Sequence, residues 1–165
     1  LGGYVSSTPQ DTIEYVTIAT TGNVTDFGNL TQARRTGAAC SNGTRGFVGC
    51  GYLTAYTTTV EYVTIASTGD AQDFGDLDEA RYRGGALSSG IRAVMGGGLA
   101  PSASNVMDYV AIASTGDFTD FGDLSRNTYG AVGGGNNHIG ITMGGSTSPG
   151  ITASPYINFI HYVQK

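Results

Sequence analysis

Tryptophan is missing from this 165-residue chain, cysteine occurs twice, methionine three times, and only 13% of the residues are charged. Each shortage excludes something. Eight Lys and Arg against thirteen Asp and Glu leave a net charge of -5 and no basic stripe to follow a phosphate backbone, so no nucleic acid partner is expected. No apolar run approaches the roughly 20 residues that cross a bilayer as a helix, and no signal-peptide or lipidation pattern is present, so no membrane span is expected. Apolar residues do not recur with a 3.6-residue period, which excludes a helical repeat. The two cysteines, Cys40 and Cys50, flank the turn candidate Ser41-Asn42-Gly43-Thr44. A tight hairpin there puts Cys40 opposite Arg45 and Cys50 several residues beyond, out of bonding range, so both are expected to be free packing thiols.

What is abundant is glycine, with 27 residues, along with Ser, Thr and ten Tyr, a mixture that suits short strands and tight turns. One stretch occurs three times. EYVTIASTGDAQDFGDL (61–77) matches EYVTIATTGNVTDFGNL (14–30) and DYVAIASTGDFTDFGDL (108–124), with Tyr15, Tyr62 and Tyr109 spaced 47 apart. The first two copies agree at twelve of seventeen positions, and a constant period in this range marks a repeat architecture.

Each repeat reads as four short strands. In the first, residues 12–20 form a strand apolar on both faces, Thr21-Gly22-Asn23 a turn, 25–30 a shorter strand anchored by Phe27, and 36–50 a hairpin. The second repeats this plan with 60–67, Phe74 and a hairpin about Ser88-Ser89-Gly90. The third does so with 106–114, Phe121 and a hairpin near Asn136-Asn137. The divisions are 1–10 for the close of a preceding unit, 11–58, 59–105 and 106–155 for three units, and 156–165 for the start of a fourth, with Phe159 aligned on Tyr15. Because residue 1 falls inside a repeat, the chain is expected to be a processed product or a piece of a longer one. The fold expected is all-β, a β-propeller of four-stranded blades of about 47 residues, with about three and a half units here.

The Gly-closed hairpin (Gly49 and Gly51, Gly96 and Gly97, Gly144 and Gly145), the strand with its central Tyr62, the Thr68-Gly69 turn, Phe74 with Leu77, and Arg81 together resemble the kelch-type repeat. The wording of the 17-residue stretch also resembles repeats in structural proteins of marine bacteriophages, particularly those infecting cyanobacteria. These resemblances imply a non-enzymatic structural or adhesive virion protein, part of a tail or host-contacting appendage. Its partners would be other copies, other virion proteins, or a host surface glycan or protein. The alternative is a secreted cellular glycan-binding or scaffolding propeller. Virion or extracellular localisation follows from either.

Candidate chemistry is sparse. Asp70, Asp73, Asp76 and Asp117, Asp120, Asp123 recur at one spacing and could supply oxygens to Ca²⁺, with Asn23, Asp26 and Asn29 in the first copy. The competing reading is that they cap turns through their own backbone. Asp-Phe-Gly in all three copies lacks the other parts of a kinase site. The Gly runs 96–98 and 133–135 lack a following helix to cradle phosphate. A copper oxidase would need His, Tyr and Cys together, and the spacing of His138 and His161 gathers no such set. Arg34, Arg81 and the near-equivalent Arg126 are expected to pair with Asp of an adjacent unit at the surface. Asn-x-Thr triplets at Asn23, Asn29 and Asn42 are expected in so Thr-rich a chain. The hairpin tips, Asn42, Ser89, Asn136, Asn137 and His138, are the positions free to tune recognition.

Overall fold

A computed structural model describes residues 2–147 and the backbone of residues 160–164. The described residues form four antiparallel sheets and no helix. The first sheet holds β1 (Gly3–Val5), β2 (Thr8–Tyr15) and β3 (Thr25–Arg34). The second holds β4 (Ala38–Ser41), β5 (Arg45–Gly49), β6 (Thr57–Thr64) and β7 (Gln72–Arg81). The third repeats it with β8 (Gly85–Ser88), β9 (Arg92–Gly96), β10 (Ser104–Ala111) and β11 (Thr119–Thr128), and the fourth has β12 (Val132–Gly135), β13 (Ile139–Met143) and β14 (Ile160–Gln164). Within each sheet, neighbours in sequence are neighbours in space, the arrangement that short Gly, Ser and Asn turns permit.

The sequence expectation of an all-β chain holds, and its strand limits shift. The strands expected at 12–20, 60–67 and 106–114 end at Tyr15, Thr64 and Ala111. The Ile-Ala-Ser/Thr run after them turns back, with the Ser67 N–H donating to the Thr64 carbonyl at 3.2 Å and the Thr20 N–H to that of Thr17 at 3.2 Å. The strand expected to be short, 25–30, runs ten residues to Arg34. It reaches that length by bulging: register breaks at Gln10/Thr12 and Ile13/Glu14, at Thr57/Thr59 and Val60/Glu61, and at Ser104/Val106 and Met107/Asp108. A bulge adds twist and lets a long outer strand curl over its neighbour.

Both cysteines are free, as expected, although Cys40 stands opposite Phe47 and not Arg45. Asn42 is the cause. Its Oδ1 accepts the N–H groups of Thr44 at 3.1 Å and Arg45 at 2.9 Å, so the turn lies inside the pair Ser41 and Gly46. In the fourth sheet Tyr162 stands opposite Ile141, as Tyr62 stands opposite Phe47. Tyr162 therefore takes the place assigned to Phe159, which itself lies outside the described residues.

The core lies between sheets. Ile13, Phe27 and Leu30 of the first sheet pack with Val48 of the second and with Ala71 in the loop before β7. Phe47, Val60, Phe74 and Leu77 pack with Ala93, Met95, Val110, Ile112 and Phe118 of the next repeat. A sheet apolar on both faces cannot bury them alone, and stacking its neighbours does so.

Candidate functional site

The most repeated residues build the joints between sheets. Gly69 and Ala71, in the loop between β6 and β7, donate their N–H groups to the carbonyls of Phe27 (2.7 Å) and Asn29 (2.8 Å) on β3 of the preceding sheet. Asp70 between them accepts the Asn29 N–H at 2.9 Å. One repeat later, Gly116 and Phe118 donate to Phe74 and Asp76, both at 2.8 Å, and Asp117 accepts the Asp76 N–H at 3.0 Å. Thr-Gly-Asp is thus a plug and Asp-Phe-Gly the slot that receives it. The slot needs glycine. A Cβ on Gly28 would lie 2.3 Å from the Gly69 carbonyl oxygen, and one on Gly75 2.2 Å from that of Gly116.

This latch accounts for two of the six aspartates proposed for metal, Asp70 and Asp117. Asp76 accepts the Thr58 hydroxyl at 2.8 Å, and Asp120 accepts the Gly122 N–H at 2.8 Å within β11, at the bulge opposite Met107 and Asp108. Asp70, Asp73, Asp76, Asp117, Asp120 and Asp123 are not gathered: among the described residues no group of three His, Cys, Asp or Glu side chains is placed to hold a metal ion.

The arginines pair across the same joints, but in the core and not at the surface. Arg34 Nη2 lies 2.7 Å from Glu61 Oε2, and Arg34 Nη1 donates to the carbonyls of Thr59 (2.8 Å) and Cys50 (3.2 Å). Arg81 Nη2 meets Asp108 Oδ2 at 2.5 Å and the Met95 carbonyl at 3.3 Å. Arg34, Glu61, Arg81 and Asp108 are all buried. The two pairs differ in support. Glu61 Oε1 also accepts the N–H and the hydroxyl of Thr31, whereas Asp108 Oδ1 has no hydrogen-bond partner among the described residues. Asp78 stands where Thr31 does one repeat earlier and adds negative charge. Burial above all pushes Asp108 up from its ordinary value, against the pull of Arg81. In the third copy Thr128, not Arg126, holds the matching position, and it too is buried.

The three repeated tyrosines, Tyr15, Tyr62 and Tyr109, meet Phe27, Phe74 and Phe121 edge-on at 6.0, 5.6 and 5.5 Å. They brace each sheet across its outer pair of strands. Gly49 and Gly96 close β5 and β9, and Gly51 after β5, Gly97 after β9, and Gly144 and Gly145 after β13 have positive φ.

The proposed binding tips are tied to one another. Asn42 Nδ2 donates to the Gly90 carbonyl at 3.3 Å, and the Gly90 N–H donates to Asn137 Oδ1 at 3.1 Å. Ser89 Oγ accepts from Ile91 and Arg92, and Asn136 Oδ1 from His138 and Ile139. His138 is exposed among them.

The opposite end of the sheets carries a feature that sequence reasoning missed, a row of Tyr and Arg side chains. The Arg35 guanidinium lies 4.6 Å from the Tyr4 ring and 4.9 Å from that of Tyr52. Tyr52 and Tyr56 follow, with Tyr56 stacked on Tyr82 at 5.3 Å and 13°. Arg83 then lies 5.3 Å from Tyr82 and 5.9 Å from Tyr129. The 47-residue spacing of Arg35, Tyr82 and Tyr129 was its available signal.

Together these features define, among the described residues, an all-β arrangement of four antiparallel sheets, the first three joined by buried ion pairs and a repeated backbone latch. No protein-family model and no curated protein matches the chain. No helix among the described residues is long and apolar enough to cross a membrane.

Proposed function

We propose that the chain is a non-enzymatic structural or adhesive virion protein, from a tail or host-contacting appendage, whose sheets are kelch-like propeller blades contacting protein or glycan. The stacking supports the blade reading. First strands β4, β8 and β12 lie side by side, and outer strands β3, β7 and β11 run along the same flank. The observation that carries the contact reading is the Tyr and Arg row. Tyr4, Tyr56 and Arg83 are exposed, and each aromatic face is held in place by a neighbouring cation or ring. Flat aromatic faces flanked by guanidinium donors suit the apolar faces and hydroxyls of a sugar, or a partner's polar surface.

The test is binding of the purified protein to a glycan array and to intact candidate host cells, with Tyr56→Ala and Arg83→Ala as variants. Binding that falls about tenfold or more in either variant, at unchanged melting temperature, is the expected result. Equal binding by both variants and the parent would refute the contact face. Mass spectrometry of purified virus particles tests the virion assignment separately.

A further inference from the structure

Five side chains of the Tyr and Arg row belong to the second sheet and the connections on either side of it. Arg35 lies between β3 and β4, Tyr52 and Tyr56 between β5 and β6, and Tyr82 and Arg83 between β7 and β8. The repeat does not need them. The residues 47 positions on from Tyr52 and Tyr56 are Leu99 and Ala103, both buried, and Leu99 bridges Tyr82 and Ala103 as Tyr52 bridges Arg35 and Tyr56. Arg83 stands on left-handed backbone at φ 57°, where the third copy has Gly130 at 70°. The turn is therefore the scaffold's, and an arginine is carried there at a strain that glycine avoids.

What these side chains leave unused defines a ligand. Arg34 and Arg81 are neutralised by Glu61 and Asp108, but Arg35 and Arg83 form no ion pair among the described residues. Each guanidinium lies over tyrosine rings that hold it in place, and neither donates a hydrogen bond among the described residues. The hydroxyls of Tyr52, Tyr56 and Tyr82 are equally free there, unlike that of Tyr62, which donates to Gln72 at 2.7 Å. Open guanidinium edges call for an anion, and phenol hydroxyls beside aromatic faces call for a ligand with hydroxyls and apolar faces of its own. A sugar acid carries all three. We propose that this end of the second sheet binds an acidic polysaccharide, a chain of sugar rings bearing carboxylates. Arg35 and Arg83 each take a carboxylate on the N–H fork, and the exposed Tyr56 ring, backed by Tyr82 at 5.3 Å and 13°, is the platform for a sugar between them. Cations on both sides of one platform suit a chain and not a single sugar. An acidic peptide would satisfy the arginines but leave the phenols unmatched. With a net charge of -5 the rest of the protein repels a polyanion, so the contact is local and screened by salt. The inference rests on the contact-face reading and adds the class of ligand.

Isothermal titration of the 165-residue chain with oligogalacturonate, neutral dextran, dextran sulfate and polyglutamate tests it. Oligogalacturonate should bind about tenfold or more tighter than the other three, and should lose about tenfold between about 0.05 and about 0.5 M salt. Arg83→Gly, Arg35→Gln and Tyr56→Leu should each weaken it about tenfold at unchanged melting temperature, and Arg83→Lys, which keeps the charge without the fork, should restore only part of the loss. Dextran bound as tightly as oligogalacturonate, and weakened by Tyr56→Leu but not by Arg83→Gly, would overturn the acidic ligand and leave the contact face standing. Tightest binding of dextran sulfate or polyglutamate would overturn the carboxylated sugar in favour of a sulfated glycan or an acidic protein. Oligogalacturonate binding indifferent to all the variants, or binding of none of the four probes, would overturn the proposal, and the first would remove the contact face with it.

Discussion

Arg34 is nearly wholly enclosed, and burial lowers its pKa against the opposing pull of Glu61. A charge held this way depends on its partner. Replacing Arg34 by Met strands a buried carboxylate and should cost about 3–5 kcal/mol, whereas Arg34→Met with Glu61→Leu should recover most of that loss. Urea titration of both variants checks this, and equal destabilisation would argue against the pair as the cause. The weaker pair suggests an improvement: Asp78→Thr removes a like charge beside Asp108 and supplies a hydroxyl of the kind Glu61 receives from Thr31. It should stabilise by about 1 kcal/mol, read as a rise in urea midpoint. Cys40 gives a pH dependence. Burial pushes its thiol from 9.0 up to about 12, so the unfolded chain ionises first. Its contribution is whole below pH 9 and is lost as pH rises toward 12, at about 1.4 kcal/mol per pH unit. Cys40→Ala should flatten that part of the stability profile, and an unchanged slope would show that other groups control it.

At the scale of elements, the contrast between Gly75 and Gly122 isolates the latch. Both have positive φ, 149° and 125°, so alanine strains either backbone, yet only at Gly75 does the new Cβ strike the plug. Gly75→Ala should therefore destabilise by about 2 kcal/mol more than Gly122→Ala in urea unfolding, and equal losses would deny the latch a role in stability. The repeat made strand number, hairpin positions and the free cysteines legible, because turn chemistry is local. Strand limits were less so: Ile65 and Ile112 look like strand residues and each keeps one ladder bond, to Thr44 and Ile91, but beyond Ile65 the chain turns back, with the Ser67 N–H on the Thr64 carbonyl. The role of Asp70 was hidden for a similar reason, since its partner Asn29 lies in another sheet. Arg34 and Arg81 were seen to pair, but burial depends on stacking that one repeat cannot display.

For the molecule as a whole, stability in a stacked array is close to a sum of unit terms and nearest-neighbour joints. The second sheet has packed neighbours on both faces, sharing Val48 with Ile13 and Phe27 on one side and Phe47 and Phe74 with Met95 and Phe118 on the other. The first sheet contributes Ile13, Phe27 and Leu30 to one joint, and its 17–24 loop is exposed throughout. Opening should therefore be graded along the array and not all-or-none. Hydrogen exchange on the protomer should find amides of β5, β6, β9 and β10 slowest, those of β1 and β2 at least about tenfold faster, and the 17–24 loop fastest. Gly75→Ala, by loosening the joint between the second and third sheets, should raise exchange in β6, β7 and β10 together while leaving β2 and β3 near the parent rates. Uniform protection across the sheets, or an equal rise everywhere in that variant, would mean that the sheets open as one cooperative unit and that the joints are not separable carriers of the fold.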